Sequence, residues 1–178
     1  MESLKKILSQ SDIWRWNILI LVSVGTQKFP FDRLIRSVDE LVEKGVIDEE
    51  VCMQIGTSTY TPKHCSYQDY IPAEIMKKKL QECSLLITHA GVGSILEACK
   101  YGKPVIVLPR LKKYMEHVDD HQVEIARAFS EQGYIYYCND EKELTNAVHS
   151  APSLKYSQYQ SSNQKIVSII DKFIQQTN

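Results

Sequence analysis

The sequence predicts an α/β fold of the Rossmann-like, doubly wound type, with a mostly parallel sheet of six strands. Apolar runs of strand length recur along the 178 residues, and helical patterns separate them. Two of these runs, "SLLITH" and "PVIVLP", are continuously apolar, which is typical of strands buried on both faces of a parallel sheet. The chain length favours one domain, which we place at residues 17–178.

Strands are predicted wherever an apolar run is bounded by polar or turn residues. Their expected ranges are 17–24, 51–55, 67–71, 84–88, 104–108 and 134–138. Helices are predicted where apolar residues recur with a spacing of 3.6. Their expected ranges are 34–42, 95–99, 123–129 and, as a final amphipathic helix, 155–175. Gly45 and Gly133 are placed to end the first and third of these helices.

Residues 1–16 precede the first strand and are interpreted as an N-terminal extension. In a helix, Leu4, Ile7 and Leu8 would form one apolar face. Such a face is suited to contact with a partner or with a membrane interface. The alternatives are a helix packed on its own domain and a poorly ordered terminus.

The composition argues against a protein dedicated to nucleic acids or membrane surfaces, since 21 basic and 22 acidic residues give a net charge of -1. The five cysteines include no CxxC pair, so neither a zinc knuckle nor a redox dithiol is predicted, and reduced thiols in a cytoplasm are expected. The longest apolar run, "ILILVSV", is too short to span a bilayer and is not placed like a secretory signal.

Two glycine-containing loops are predicted to face one crevice. The first strand ends at Gly25 and Thr26, and the fourth strand is followed by "HAGVGS" at positions 89–94. In a sheet of order 3-2-1-4-5-6, the strand order reverses between strands 1 and 4, and ligands bind at that switch point. The sequence therefore predicts one ligand site built from both loops.

The second loop has the features of an anion site at the start of a helix. Gly91 and Gly93 are expected to allow close backbone approach and positive φ, while the N–H groups of Val92, Gly93 and Ser94 face an anion. The alternative for Ser94 is a simple N-cap. Leu96 stands where a dinucleotide fingerprint requires glycine, and no P-loop lysine follows.

Further polar residues follow the fourth and fifth strands. Glu97 is placed to accept hydrogen bonds from two adjacent hydroxyls, as on a ribose, and its alternative is an acid that interacts with the helix dipole. The segment "RLKKYMEHVDDHQ" at positions 110–122 is expected to carry a positive patch and a helix N-cap at Asp119 or Asp120. An alternative function for this segment is metal binding by His117 and His121, although no third ligand is nearby. The patch consists of Arg110, Lys112 and Lys113.

Three motifs, "VSVGTQKFPFDRLI", "ITHAGVGSILEACKYGKPVIVLP" and "DDHQVEIA", resemble the C-terminal, donor-binding half of glycosyltransferase family 28, which is one half of a GT-B fold. The resemblance covers roughly residues 18–147. Similar single-domain members include the catalytic subunit of the two-part dolichol-linked N-acetylglucosaminyltransferase and the PssE-type subunits of exopolysaccharide and capsule glycosyltransferases. "RLKKYMEHVDDHQ" is most similar to the PssE type.

The resemblance implies a binding site for a UDP-sugar donor. Its residues are Gly25, Thr26, Gln27, Tyr70, Ile71, Val92, Gly93, Ser94, Glu97, His121 and Gln122. The first three match a loop near the diphosphate, the backbone of the next two reads the uracil edge, and the amides of residues 92–94 hold the diphosphate. Glu97 matches the acid that binds the ribose, and the last pair holds the sugar. Neither a metal nor a further cofactor is implied, since the UDP-sugar is a substrate.

The implied function is that of the UDP-sugar-binding, catalytic subunit of a two-component glycosyltransferase. It transfers a sugar, left unspecified, to a lipid-pyrophosphate-linked oligosaccharide in exopolysaccharide or capsule biosynthesis. A membrane-anchored partner supplies the acceptor groove. The chain itself is expected to be cytoplasmic and to be held by this partner at the inner face of the plasma membrane. His89 is a candidate general base, and a loop-ordering hydrogen bond is its alternative.

Two other functions stay open. One is a non-catalytic accessory subunit that enhances a partner glycosyltransferase, and the other is a nucleotide-sensing module unrelated to sugar transfer. Homo-oligomerisation is also left open, whereas no nucleic-acid partner is expected.

Overall fold

The computed structural model describes residues 19–157, which are built around a six-stranded sheet. The strands are β1 (Leu19–Ser23), β2 (Glu50–Gln54), β3 (Ser66–Gln68), β4 (Leu85–Thr88), β5 (Val105–Val107) and β6 (Tyr136–Tyr137). Their order is β3-β2-β1-β4-β5-β6, and every neighbouring pair is parallel. The predicted fold class and strand order are confirmed, and the sheet is wholly rather than mostly parallel.

Five α-helices lie within the described range: α1 (Asp32–Glu43), α2 (Ala73–Glu82), α3 (Val92–Lys100), α4 (His121–Glu131) and α5 (Leu144–Ser150). Helices are predicted where α1, α3 and α4 lie, whereas α2 and α5 have no counterpart in the prediction. None of the helices in residues 19–157 has the length and apolar character needed to cross a bilayer.

The two predicted terminal segments are not tested by this structure. The N-terminal extension, residues 1–16, lies outside the described residues. The final helix lies outside them from residue 158 onward, and residues 155–157 are not helical. Gly45 and Gly133 follow the ends of α1 and α4 as predicted, and both adopt a positive φ, of 67° and 74°.

Both faces of the sheet are covered by helices, as its continuous apolar strands predict. In β1, Ile20 and Val22 belong to the apolar cluster that contains the buried residues of α1 and α5. Leu21, between them, belongs to the cluster on the other face, which contains the buried residues of α3 and α4. Burial of each such side chain contributes about 1.5–3 kcal/mol, so the sheet is stabilised from both sides.

Two carboxylates of α1, Asp32 and Asp39, hold the connection between β2 and β3, and of the two only Asp39 is buried. Asp39 accepts hydrogen bonds from the Tyr60 hydroxyl (2.8 Å) and from the backbone N–H groups of Lys63 (2.9 Å) and His64 (2.8 Å). Burial alone would raise the pKa of Asp39, but the hydrogen bonds outweigh burial and hold the pKa below its usual value. This connection leads to the edge strand and to the segment that enters α2.

We expect Asp39→Ala to lower the free energy of unfolding by about 2–4 kcal/mol, because three buried or partly buried donors lose their acceptor. Glu40→Ala is the matched control: it removes only an exposed ion pair with Lys44 and should cost about 0–1 kcal/mol. Chemical denaturation of both variants measures the difference. Equal losses would show that Asp39 does not fasten the connection.

The same carboxylate gives the stability a defined pH dependence. The folded-state pKa of Asp39 lies below its unfolded value, so its contribution is complete above about pH 4–5 and is lost as the pH falls through the folded-state pKa. The stability difference between the wild-type chain and Asp39→Ala should therefore shrink as the pH is lowered from 6 to about 3.

Candidate functional site

A pocket of about 290 Å³ opens beside the point where β1 and β4 meet. Its apolar lining includes Ala73, Met76 and Leu80 of α2. Its lining also includes five of the eleven residues predicted to bind the donor, namely Gly25, Thr26, Ile71, Ser94 and Glu97. The structure thus brings together three separate sequence segments that the prediction assigns to one site.

The N-terminus of α3 borders this pocket with unpaired backbone donors. Among the described residues, the N–H groups of Val92, Gly93 and Ser94 have no acceptor, and the first helical hydrogen bond runs from Ile95 to the Gly91 carbonyl (3.1 Å). Gly91 is the N-cap, so Ser94 lies in the first turn and the alternative that makes it the N-cap is wrong. Free amides at the positive end of a helix attract an anion.

Gly93 has no structural reason to be glycine. A Cβ atom placed there meets no atom within 4 Å, and the positive φ expected for Gly91 and Gly93 is wrong at both positions. Glycine inside a helix costs about 1 kcal/mol relative to alanine. The open space in front of Gly93 is what a ligand close to the backbone requires.

The His89 ring explains why glycines stand at positions 25 and 91. A Cβ atom at Gly91 would lie 2.5 Å from Nε2 of His89, and one at Gly25 would lie 2.7 Å from Cε1. The ring is 6% exposed, so it fills the space between the two glycine backbones. Gly25 also has a φ of 75°, which side chains rarely tolerate.

The surroundings of His89 keep its ring neutral. Burial, aided by the positive charge of Arg110, lowers the pKa of His89 to about 4. Nδ1 of the ring lies 3.3 Å from Oγ1 of Thr88, whose hydroxyl donates to the Ser23 carbonyl (2.7 Å). This geometry favours the loop-ordering alternative over a general base.

Gln54 is a buried pocket residue that sequence reasoning missed. Its Oε1 accepts the Ile71 N–H (2.9 Å), and its Nε2 donates to the Gly25 carbonyl (3.3 Å) and to Oγ of Ser23 (3.4 Å). The backbone near Ile71 is predicted to read the uracil edge, but the Ile71 N–H is already engaged by Gln54. Tyr70, the other residue predicted there, is 50% exposed and does not line the pocket.

The remaining predicted residues lie outside the pocket lining. Gln27 is exposed, and its carbonyl accepts a hydrogen bond from Oγ1 of Thr57 (3.3 Å). Gln122 is buried, and its Oε1 accepts the N–H groups of Ala90 (3.3 Å) and Arg110 (3.1 Å), which joins the loops after β4 and β5. Val92 and His121 are partly exposed at the starts of α3 and α4.

Of the two predicted N-cap residues, Asp120 is the N-cap of α4, but its side chain caps no helix N–H group, and Asp119 accepts one instead. Oδ1 of Asp119 accepts the N–H of His121 (3.1 Å) and lies 2.9 Å from Nδ1 of His117, whereas Asp120 accepts the N–H of Lys112 (2.8 Å). Within residues 19–157, no three His, Cys, Asp or Glu side chains are grouped as metal ligands would be.

The predicted positive patch is only partly at the surface. Lys112 and Lys113 are exposed, but Arg110 is fully buried and donates to carbonyl oxygens instead of facing solvent. Burial lowers the pKa of Arg110 to about 10, so the guanidinium stays charged at neutral pH. Arg110 therefore does not contribute to the exposed positive patch predicted with Lys112 and Lys113.

Comparison with known proteins adds an independent finding. Residues 19–177 match the family model described as the glycosyltransferase family 28 C-terminal domain. The human "UDP-N-acetylglucosamine transferase subunit ALG13" is 31% identical over 128 residues, and the Candida albicans protein of that name is 36% identical over 85 residues. These alignments cover 67% and 47% of this chain but 11% and 27% of the relatives, so the chain spans a minor part of each.

Solved structures show the same fold at low identity. An NMR structure of ALG13 is 20% identical with a TM-score of 0.56, and the match covers 89% of this chain and 96% of that one. The glycotransferase of kitacinnamycin is 17% identical with a TM-score of 0.60, over 89% of this chain and 38% of that one.

The packing of His89 against Gly91 can be tested by a double-mutant cycle. Gly91→Ala should destabilise the chain by about 1–3 kcal/mol, because its methyl group overlaps the imidazole. In a His89→Ala background the same substitution should cost close to nothing, since the ring is gone. The cycle isolates this contact from the cavity that His89→Ala leaves, and an equal cost in both backgrounds would disprove it.

Proposed function

The chain belongs to glycosyltransferase family 28, as one of its C-terminal domains, and on that premise we propose that it binds the UDP-sugar donor of a two-subunit glycosyltransferase. The nearer resemblance to PssE-type subunits is not supported by the relatives above, which are N-acetylglucosamine transferase subunits. The exopolysaccharide or capsule context finds no support in them either. We propose UDP-N-acetylglucosamine as the donor on the strength of their name.

The observation that carries this proposal is the shared pocket of Gly25, Thr26, Ile71, Ser94 and Glu97. Its apolar wall suits a nucleobase, and pockets of this kind fix a ligand with a few polar groups. Ser94 and Glu97 stand at positions i and i+3 of α3 and therefore share a face of the helix. A ribose at Glu97 then adjoins a diphosphate at the free amides of α3, in the order that a UDP-sugar requires.

The sugar end of the donor lies toward the start of α4. The Gln122 Oε1 is committed to two backbone N–H groups, so its amide N–H₂ is turned the other way and stays available to a sugar hydroxyl. His121, next to it, has a side chain that is 39% exposed. A sugar held here would be open to solvent on the side that no described residue covers.

Transfer requires a second body to close that side. A sugar-transfer reaction must orient both substrates and exclude water, and this pocket alone does neither for an acceptor. We propose a membrane-anchored partner that presents a lipid-pyrophosphate-linked acceptor and keeps this chain in the cytoplasm at the membrane. The word "subunit" in the name of the relatives supports a partner.

An accessory subunit without catalysis is the second candidate function. It is favoured by one observation: His89, the candidate base, is buried and neutral. The two functions differ in whether the donor pocket of this chain is needed for transfer.

Glu97→Ala should weaken UDP binding by about 1.5–3 kcal/mol, since one charge-assisted contact to the ribose is lost, and should leave the fold intact. Glu131→Ala removes an exposed carboxylate at the end of α4 and serves as the control with unchanged affinity. Isothermal titration with UDP measures both. Equal affinities of Glu97→Ala and the wild type would remove Glu97 from the site.

The purified chain should bind UDP but transfer little or no sugar, and addition of the membrane-anchored partner should restore transfer to a lipid-pyrophosphate acceptor. Assays of each subunit alone and of both together, with radiolabelled UDP-N-acetylglucosamine, test this. A complex that contains Glu97→Ala should lose most activity if this chain holds the donor. Full activity of that complex would favour the accessory function, and strong transfer by the chain alone would contradict the need for a partner.

A further inference from the structure

In the loop from Val24 to Pro30, which follows β1, five of the seven carbonyl oxygens accept hydrogen bonds, whereas the N–H groups of residues 26–29 are free within the described part of the chain. Three carbonyls accept hydrogen bonds from Arg110, one from Gln54 and one from Thr57; these are the carbonyls of Val24, Phe29, Pro30, Gly25 and Gln27. Among the described residues, no acceptor faces the N–H groups of residues 26–29. Gly25 and Thr26 of this loop line the pocket.

Arg110 makes most of these contacts from a fully buried position. Its Nη2 donates to the Val24 carbonyl (2.7 Å), and its Nη1 lies within hydrogen-bond distance of the carbonyls of Phe29 (2.8 Å), Pro30 (3.2 Å) and Glu116 (3.2 Å). The guanidinium carbon lies 4.8 Å from the centre of the Phe31 ring. The side chain therefore holds both ends of the loop from beneath.

Among the described residues, the Arg110 guanidinium forms no salt bridge with a carboxylate. Glu116, the nearby acid, directs its carboxylate to Nε and Nη2 of Arg33 (3.0 and 2.8 Å) and to the N–H of Leu111 (3.0 Å). Nε of Arg110 is buried without a partner in the described part of the chain. The hydrogen bonds of Arg110 therefore all go to neutral carbonyl oxygens, while the Glu116 carboxylate acts on its charge through space.

We propose that Arg110 is a positioning residue for the donor diphosphate. It orients the loop that binds the diphosphate and does not contact the diphosphate itself. It turns the carbonyl oxygens of the loop inward, where they cannot repel an anion, and leaves the N–H groups of residues 26–29 to face the diphosphate opposite the start of α3. Successive free N–H groups of this kind form anion-binding concavities. The inference rests on the proposed function, because it assumes that the pocket holds a nucleoside diphosphate.

The test compares UDP with uridine, which lacks the diphosphate. Arg110→Met keeps an unbranched apolar stem but removes the donors and the charge, and Arg110→Lys keeps the charge but not the planar fork. Arg127→Met, at an exposed position of α4, loses the same charge elsewhere and is the matched control. Isothermal titration of the wild type and the three variants gives the ratio of UDP to uridine affinity.

Arg110→Met should lower UDP affinity at least tenfold and change uridine affinity by less than threefold, while Arg127→Met should change neither. On a logarithmic scale, Arg110→Lys should lose more than half of the UDP affinity that Arg110→Met loses, because an ammonium group cannot hold both ends of the loop. Equal losses of UDP and uridine affinity would mean general damage to the fold and would overturn the inference, as would an unchanged UDP affinity. If the wild-type chain binds no UDP, the proposed function fails as well.

A second measurement uses the wild-type chain alone, in case Arg110→Met does not fold. Titration with inorganic pyrophosphate, followed by amide ¹H–¹⁵N spectra, should shift the N–H signals of Thr26, Gln27 and Lys28 together with that of Gly93. Shifts confined to the start of α3 would overturn the inference while leaving the helix part of the donor site in place.

Discussion

The parallel pairing of β1 with β4 is the constraint on which the candidate site depends. Ser23 and Thr88 are the last paired residues of the two strands, and the Thr88 hydroxyl donates to the Ser23 carbonyl at 2.7 Å. The two loops therefore leave the sheet side by side, with the His89 ring between the backbones of Gly25 and Gly91. A shift of this register by one residue would turn the strand faces over and would separate the loops that form the pocket.

Buried polar side chains, more than backbone pairing, fix the loops at this crevice. Gln54 joins the loop after β1 to the segment before α2, Arg110 joins the loops after β1 and β5, and Gln122 joins those after β4 and β5. Each saturates main-chain groups whose burial without a partner would cost about 1–3 kcal/mol. Loops held in this way are ordered before a ligand arrives, which lowers the entropy cost of binding.

The sequence predicts the strands and their order because a doubly covered parallel sheet requires continuous apolar runs, and runs such as "PVIVLP" are hard to misread. It misses α2, where Ile75, Met76 and Leu80 give a weak pattern and only Leu80 is buried. Among the site residues, Ser94 and Glu97 follow from the local pattern of a loop that enters a helix. The burial of Arg110 and the role of Gln54 do not follow, since both depend on carbonyls and amides from loops distant in the sequence. The sequence likewise predicts a turn at Gly91, but it does not reveal that the His89 imidazole is what requires glycine there.

The described part of the chain has the groups to hold an anion, but its candidate base, His89, is not placed to take a proton from an acceptor. A general base works best when its pKa is near the operating pH, whereas His89, with a pKa of about 4, is wedged between two glycines and cannot reach a substrate without disrupting them. Asp119 already accepts a helix N–H group and contacts His117. Within the proposed function, these contacts indicate that this chain and its partner have different roles in catalysis. A crevice with free backbone N–H groups binds the diphosphate and receives the negative charge of the leaving group, and the partner that brings the acceptor supplies the base. Water is then excluded only when the two bodies meet, which ties transfer to assembly of the complex.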